Sequence, residues 1–229
     1  MFKVFSLTGL GFTVAVVLIH YLVFHPKSDA LFGSGRKNKL MDILRYPVFL
    51  FTLLFPERKH SFLGIVKKIL YLLALLCGVI LFVTGFYPRL VLDETIGGYF
   101  MMVHSTAAPI FAVCVAFLGL FWAHQNRFKW ADWPWLRKFM SHFVDMSKEN
   151  TESKQEIFCL GAKICFWAIL SVAIVVILSI IASMFKLFGT EGQEILMVMH
   201  RYGGLLLVMF GILHFYLLIL AKMKHDSQA

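Results

Sequence analysis

The sequence predicts an all-α integral membrane protein, a helical bundle of five transmembrane helices. Apolar residues make up 59% of its 229 positions, and the mean hydropathy is +0.77. The apolar runs are continuous rather than alternating, which excludes membrane-spanning strands. Each run reaches the length of about 20 residues that a helix needs to cross the hydrocarbon core. The predicted spans are residues 4–24, 67–88, 99–122, 158–185 and 195–220.

The first span is predicted to remain in the mature protein, because no small-residue cleavage site precedes Lys27. Pro88 is expected to end the second span. The chain then divides into an extra N-terminal helix, a basic cytoplasmic or interfacial segment, a four-helix core and a cytoplasmic tail. These parts cover residues 1–25, 26–66, 67–222 and 223–229.

The net charge of +9 indicates membrane topology rather than affinity for nucleic acid. Of the 22 Lys and Arg residues, 18 lie in segments 25–68, 123–163 and 222–224. Positive residues collect in cytoplasmic loops, so we expect the N-terminus on the outer side of the membrane and the C-terminus in the cytoplasm. The opposite side keeps only four basic residues, Lys3, Arg89, Lys186 and Arg201.

Two histidines, His200 and His214, lie inside the fifth apolar span. An ionisable residue at membrane depth is a functional-site hypothesis by default, because its burial in hydrocarbon is costly. A separation of fourteen residues places both rings within about 40° of one another and about 21 Å apart along the helix. One helix would therefore offer an imidazole to each half of the bilayer.

The third span carries His104 at a depth similar to that of His200. Two neutral imidazoles from facing helices are the axial ligands that a b-type haem accepts, so this pair is the predicted outer haem site. The competing interpretation is two histidines that only satisfy each other or a carbonyl. Arg201 is a candidate partner of a haem propionate, since guanidinium groups bind carboxylates in a bidentate way. Anchoring of Arg201 at the lipid headgroups is the competing interpretation.

His214 is the predicted ligand of an inner haem, and its partner ligand is left open. His20, on the first span, lies at about the same depth, whereas His60 would have to fold back from the loop. A third interpretation is a single-haem protein in which His214 serves a quinone. Two haems b are therefore expected, and one is the alternative.

The four cysteines, Cys77, Cys114, Cys159 and Cys165, lie in or beside the spans and are predicted to be packing residues. The sequence has no CxxCH and no CxxC motif, so it predicts neither a covalent c-type haem nor an iron–sulfur or zinc site of its own.

Several short motifs resemble one protein family. They are Thr84-Gly85, His104 with its small neighbours, the HQN of residues 124–126 before WPWL, the GxKxxFW of residues 161–167, and the spacing of His200 and His214. Over about residues 67–222 the chain resembles the cytochrome b (gamma) subunit of membrane-bound formate dehydrogenase and the b subunit of nickel–iron hydrogenases.

The resemblance implies an outer haem at His104 and His200 and an inner haem with His214 as one ligand. It also implies a bacterial inner-membrane protein that passes electrons between a periplasmic iron–sulfur or multihaem partner and menaquinone, within a larger complex. Substrate chemistry would reside in another, catalytic subunit. His214, Gly161, Lys163 and Tyr71 are the residues expected near the quinone.

The chain departs from the family pattern at two places. Tyr71 stands where the family usually has a histidine ligand, and the first span is extra; together these favour His20 as the replacement ligand. Cys159 and Ala162 stand where the family tends to have polar residues that help to hold the quinone. A haem-bearing anchor that passes electrons to another subunit without a quinone site is therefore the alternative function.

A proton-relay transporter is disfavoured. Such a relay needs carboxylates within the membrane, and the predicted spans carry no Asp or Glu at depth.

Overall fold

The computed structural model describes residues 2–24, 62–128 and 151–226, and the side chains of residues 2–21, 62–128 and 160–218. Within those residues the chain forms five long helices and no strand. A short 3₁₀ turn, Lys186–Phe188, precedes the last helix. The helices are α1 (Phe2–Phe24), α2 (Phe62–Leu90), α3 (Gly98–Ala123), α4 (Thr151–Ser183) and α5 (Gly189–Asp226).

All five helices are long and apolar enough to cross a membrane, which confirms the predicted fold class. Few residues in the most apolar stretch of each helix are buried inside the protein. Most of the apolar surface of the helices is therefore exposed and is suited to contact lipid. The five predicted spans correspond to the five helices in order. The helix ends differ by several residues, since α2 begins at Phe62 and α5 begins at Gly189.

Pro88 does not end the second span as expected. The ring lies inside α2, and the helix continues to Leu90. The loop that follows is tied to the helix end, because the Val91 amide donates to the Tyr87 carbonyl at 3.0 Å and the Glu94 amide donates to that of Pro88 at 3.0 Å. These bonds satisfy carbonyls that a helix terminus leaves without partners.

Two helix hairpins form the core of the bundle. Helix α2 packs along α3, and α4 packs along α5. We call the end with the α2–α3 and α4–α5 connections the upper end, and the opposite end the lower end. In the lower half, Ala74, Cys114 and Leu118 form a buried cluster between α2 and α3. Cys77, Cys114 and Cys165 are buried and free, in agreement with a packing role, and the Cys159 side chain lies outside the described residues.

Helix α1 packs mainly on α5 and does so through small residues. Ser6 and Thr13 are 0% and 3% exposed, and a Cβ on Gly9 would lie 3.3 Å from Met209 Sδ. Small side chains let helices in a membrane approach closely enough for van der Waals contact to hold them together. At the upper end Phe2 completes this contact against Phe86 and Tyr202, and Lys3 bridges to Asp93 at 3.6 Å.

Candidate functional site

His104 on α3 and His200 on α5 meet in the upper half of the bundle. Their ring centroids lie 6.4 Å apart, and the ring planes make an angle of 75°. A metal–imidazole bond is about 2 Å long and the ring centre lies about 1 Å beyond it, so two axial imidazoles on one metal have centroids about 6 Å apart. Two rings that share an axis through the metal can take any interplanar angle. The spacing therefore suits a pair of axial ligands.

The proton of the His200 ring is fixed by a main-chain acceptor. Nδ1 of His200 lies 3.0 Å from the carbonyl oxygen of Val176 on α4. A carbonyl only accepts, so Nδ1 must carry the hydrogen and donate it. In the neutral imidazole this leaves the lone pair on Nε2, the form in which histidine binds metals.

His104 reaches the same tautomer through a side chain. Thr84 Oγ1 donates its proton to the carbonyl of Ile80 at 2.7 Å, and it lies 3.0 Å from His104 Nδ1. With the threonine proton engaged, Oγ1 accepts from Nδ1–H, and the lone pair of His104 is again on Nε2. Metal-ligating histidines almost always donate their second nitrogen in this way.

Glycines bring the surrounding helices close to both rings. A Cβ on Gly85 would lie 3.3 Å from His104 Cε1, so the absence of a side chain there makes room for the ring. A Cβ on Gly203 would lie only 2.7 Å from Val176 Cγ2. The α4–α5 contact at Gly203 therefore brings the Val176 carbonyl within reach of His200, one turn earlier on α5.

His214 is held in the lower half by an arrangement like that of His200. Its Nδ1–H donates to the carbonyl of Ala162 on α4 at 3.1 Å. Close by, a Cβ on Gly161 would lie 3.2 Å from Leu217 Cδ1, so a glycine again permits the close approach of α4 and α5. Both histidines of α5 thus present Nε2 as the free acceptor nitrogen of a neutral ring.

Between His200 and His214, the face of α5 carries two glycines beside open space. Positions 200, 204, 211 and 214 fall within about 80° of one another on a helix. A Cβ on Gly204 or on Gly211 would meet nothing within 4 Å. This face lies on the same side as His104, and a flat macrocycle approaches a helix most easily where side chains are small.

The structure does not bring His20 to His214. His20 Nδ1 lies 2.6 Å from the hydroxyl of Tyr216. Tyr216 is two residues after His214, hence about 200° around the helix. Four residues of α5 that contact α1 share that far face, so α1 lies behind the histidine face and not in front of it. These four are Tyr202, Leu205, Met209 and Tyr216.

The other predicted site residues have mixed placements. Tyr71 packs against Trp122, with ring centroids 5.6 Å apart, beside the buried lower cluster. Lys163 is partly buried on α4, and Arg201 is exposed, one residue after His200. His60 lies outside the described residues.

Two of the short sequence motifs contact each other directly. The indole Nε1–H of Trp167 donates to the main-chain oxygen of Asn126 at 2.9 Å. The HQN at the lower end of α3 is thereby fixed to the GxKxxFW of α4. Both motifs are visible in the sequence, but their shared bond is not. Thr84, Val176 and Ala162 were not predicted as partners of the histidines. The Thr84-Gly85 motif could have indicated Thr84 as a partner. A main-chain acceptor cannot be identified from the sequence, because every residue has a carbonyl.

Within the residues that the structure describes, no group of three or more His, Cys, Asp or Glu side chains is placed to hold a metal ion. A bis-imidazole haem needs only two protein ligands, since the porphyrin supplies the rest, so the donor pair at His104 and His200 fits that group. Comparisons of the chain with protein-family models, with curated proteins and with solved structures found no match.

Proposed function

We propose that the protein is a membrane cytochrome b subunit that holds haem b between His104 and His200 in the upper half of the bundle. One observation carries the proposal: two imidazoles from different helices lie 6.4 Å apart between centroids, and each donates Nδ1–H to a fixed acceptor. Haem b supplies one-electron transfer when it is bound. His104 and His200 would supply the two nitrogen ligands, and the acceptors at Thr84 and Val176 would fix their tautomers.

His214 is the proposed ligand of a second haem in the lower half. Its Nδ1–H is anchored to Ala162 in the manner of His200 to Val176, and it stands about 21 Å further along α5. Two groups at this spacing would cover most of a hydrocarbon core of about 30 Å. The partner ligand stays open, since His20 bonds to Tyr216 on the far face of α5 and His60 lies outside the described residues.

The proposed role is to pass electrons across the bacterial inner membrane, between a periplasmic iron–sulfur or multihaem partner and menaquinone. The distribution of Lys and Arg in the sequence supports an orientation with the upper end in the periplasm, since 18 of the 22 occur in the segments that follow α1, follow α3 and end the chain, and not in the α2–α3 and α4–α5 connections. The quinone would approach from the lower end near His214, Gly161, Lys163 and Tyr71. In this role substrate oxidation belongs to another subunit of the complex.

The proposal is tested with protein purified in detergent. Absorption spectra should show a Soret band and the pyridine haemochrome of haem b, and a menaquinol analogue should reduce the haem quickly. A coloured protein that the quinol does not reduce would support the alternative of a haem-bearing anchor without a quinone site. A colourless protein with intact helical structure would contradict both.

A further inference from the structure

His104, His200 and His214 each donate Nδ1–H to a fixed acceptor. Of these three, only His104 has an acceptor that belongs to a side chain. His200 and His214 donate to main-chain carbonyls, which no substitution of a side chain removes. His104 donates to the hydroxyl of Thr84. The acceptor of His104 is therefore a side-chain group, and a substitution at position 84 can remove or restore it.

The Thr84 hydroxyl is held in a single orientation. The side chain is buried, with 6% of its surface exposed, and Oγ1 donates to the Ile80 carbonyl at 2.7 Å. A hydroxyl has one proton, so the oxygen faces His104 as an acceptor. The two bonds run in series from Nδ1–H through Oγ1 to the carbonyl, and hydrogen bonds in series polarise one another.

We infer that Thr84 is a positioning residue that sets the orientation and donor strength of His104 as an axial ligand, and thereby the reduction potential of the haem at His104 and His200. The inference rests on the proposed function. A hydrogen bond from the second ring nitrogen increases the basicity of the ligating nitrogen. A more basic ligand stabilises the oxidised iron, so the bond to Thr84 lowers the potential.

The adjacent glycine, Gly85, contacts the same ring. Gly85 leaves the space that the His104 ring occupies, since a Cβ there would lie 3.3 Å from Cε1. Thr84 and Gly85 thus act on the same imidazole, one through its Nδ1–H and one through its volume. A hydrophobic side chain at position 84 would keep the volume and remove the acceptor.

The test is a redox titration of purified Thr84→Val, Thr84→Ser and a control, Thr106→Val, followed at the haem absorption bands. Valine has the shape of threonine without the hydroxyl, and serine restores the hydroxyl. Thr106 is exposed on α3, and its hydroxyl bonds to the Met102 carbonyl rather than to His104. At the wild-type midpoint potential, Thr84→Val should raise the ratio of reduced to oxidised haem by up to about fivefold. The net contribution of one whole hydrogen bond is the upper limit, because the midpoint reports only the difference in bond strength between the two redox states.

Thr84→Ser and Thr106→Val should keep the wild-type midpoint, and the electron paramagnetic resonance signal of the oxidised haem should change only in Thr84→Val. An unchanged midpoint in Thr84→Val at full haem content, or an equal shift in Thr84→Ser, would overturn the inference while the haem proposal stands. If Thr84→Val does not fold, Thr84→Ala removes the same hydroxyl and is judged by the same criteria. A colourless wild type would instead refute the proposed function.

Discussion

Gly203→Ala should loosen the contact between α4 and α5 and the hydrogen bond that it supports. The new Cβ would lie 2.7 Å from Val176 Cγ2, whereas carbon atoms in contact prefer about 3.5–4.0 Å. Val176 is β-branched and has one strongly preferred rotamer in a helix, so the side chain cannot easily turn away. The helices must therefore separate by about 1 Å, the difference between the contact distances.

That displacement would stretch the bond from His200 Nδ1 to the Val176 carbonyl from 3.0 Å to a length at which it no longer forms. Overpacking costs about 1–3 kcal/mol and the lost bond about 1 kcal/mol. The better helix propensity of alanine returns about 0.5–1 kcal/mol. Stability should fall by about 1–3 kcal/mol, which lowers the unfolding temperature by about 2–12 °C at about 2–4 °C per kcal/mol.

The assay is thermal unfolding of the purified variant in detergent, read by circular dichroism together with the Soret band. Gly11→Ala is the matched control, since a Cβ at Gly11 would meet nothing within 4 Å. It should keep or slightly raise the unfolding temperature. A Gly203→Ala protein with the stability and spectrum of the wild type would refute the close approach at Val176.

Two further substitutions test the surroundings of the histidines. Gly85→Ala should lower the haem content, because His104 must shift by a few tenths of an ångström to admit a Cβ at 3.3 Å. Gly78→Ala, whose Cβ would meet Phe111 at an ordinary 3.5 Å, should leave the content unchanged, and equal haem loss in both would argue against a specific role for Gly85. His20→Ala should retain full haem content, since His20 bonds to Tyr216 on the face of α5 away from His214. Loss of one haem equivalent in His20→Ala would restore the ligand role that the sequence suggested.

The sequence predicted the helices and the meeting of His104 with His200, and both predictions rest on local regularities. Apolar length determines which segments are suited to cross a membrane. The similar depth of His104 and His200 then follows from their positions in the two spans, because every helix rises by the same distance per residue. These two rules place His104 and His200 at the same level, but they do not determine that the two rings face each other, which depends on how α3 and α5 pack.

The rotation of α1 about the bundle was beyond the same rules. Similar depth, the tyrosine at position 71 and the extra helix favoured His20 as the partner of His214. The docking of α1 depends instead on its small-residue stripe, Ser6, Gly9 and Thr13. That stripe determines the face of α5 that α1 covers, and His20 follows it to Tyr216. Main-chain acceptors such as Val176 were equally beyond prediction, because every residue has a carbonyl.

The central claim is tested most directly by the haem content of the wild type and of His200→Ala, measured as the pyridine haemochrome per polypeptide. The proposal predicts a b-type spectrum in the wild type and the loss of one haem equivalent in His200→Ala, with the helical circular dichroism retained. A wild-type protein without haem, or a His200→Ala variant with the full wild-type content, would contradict it.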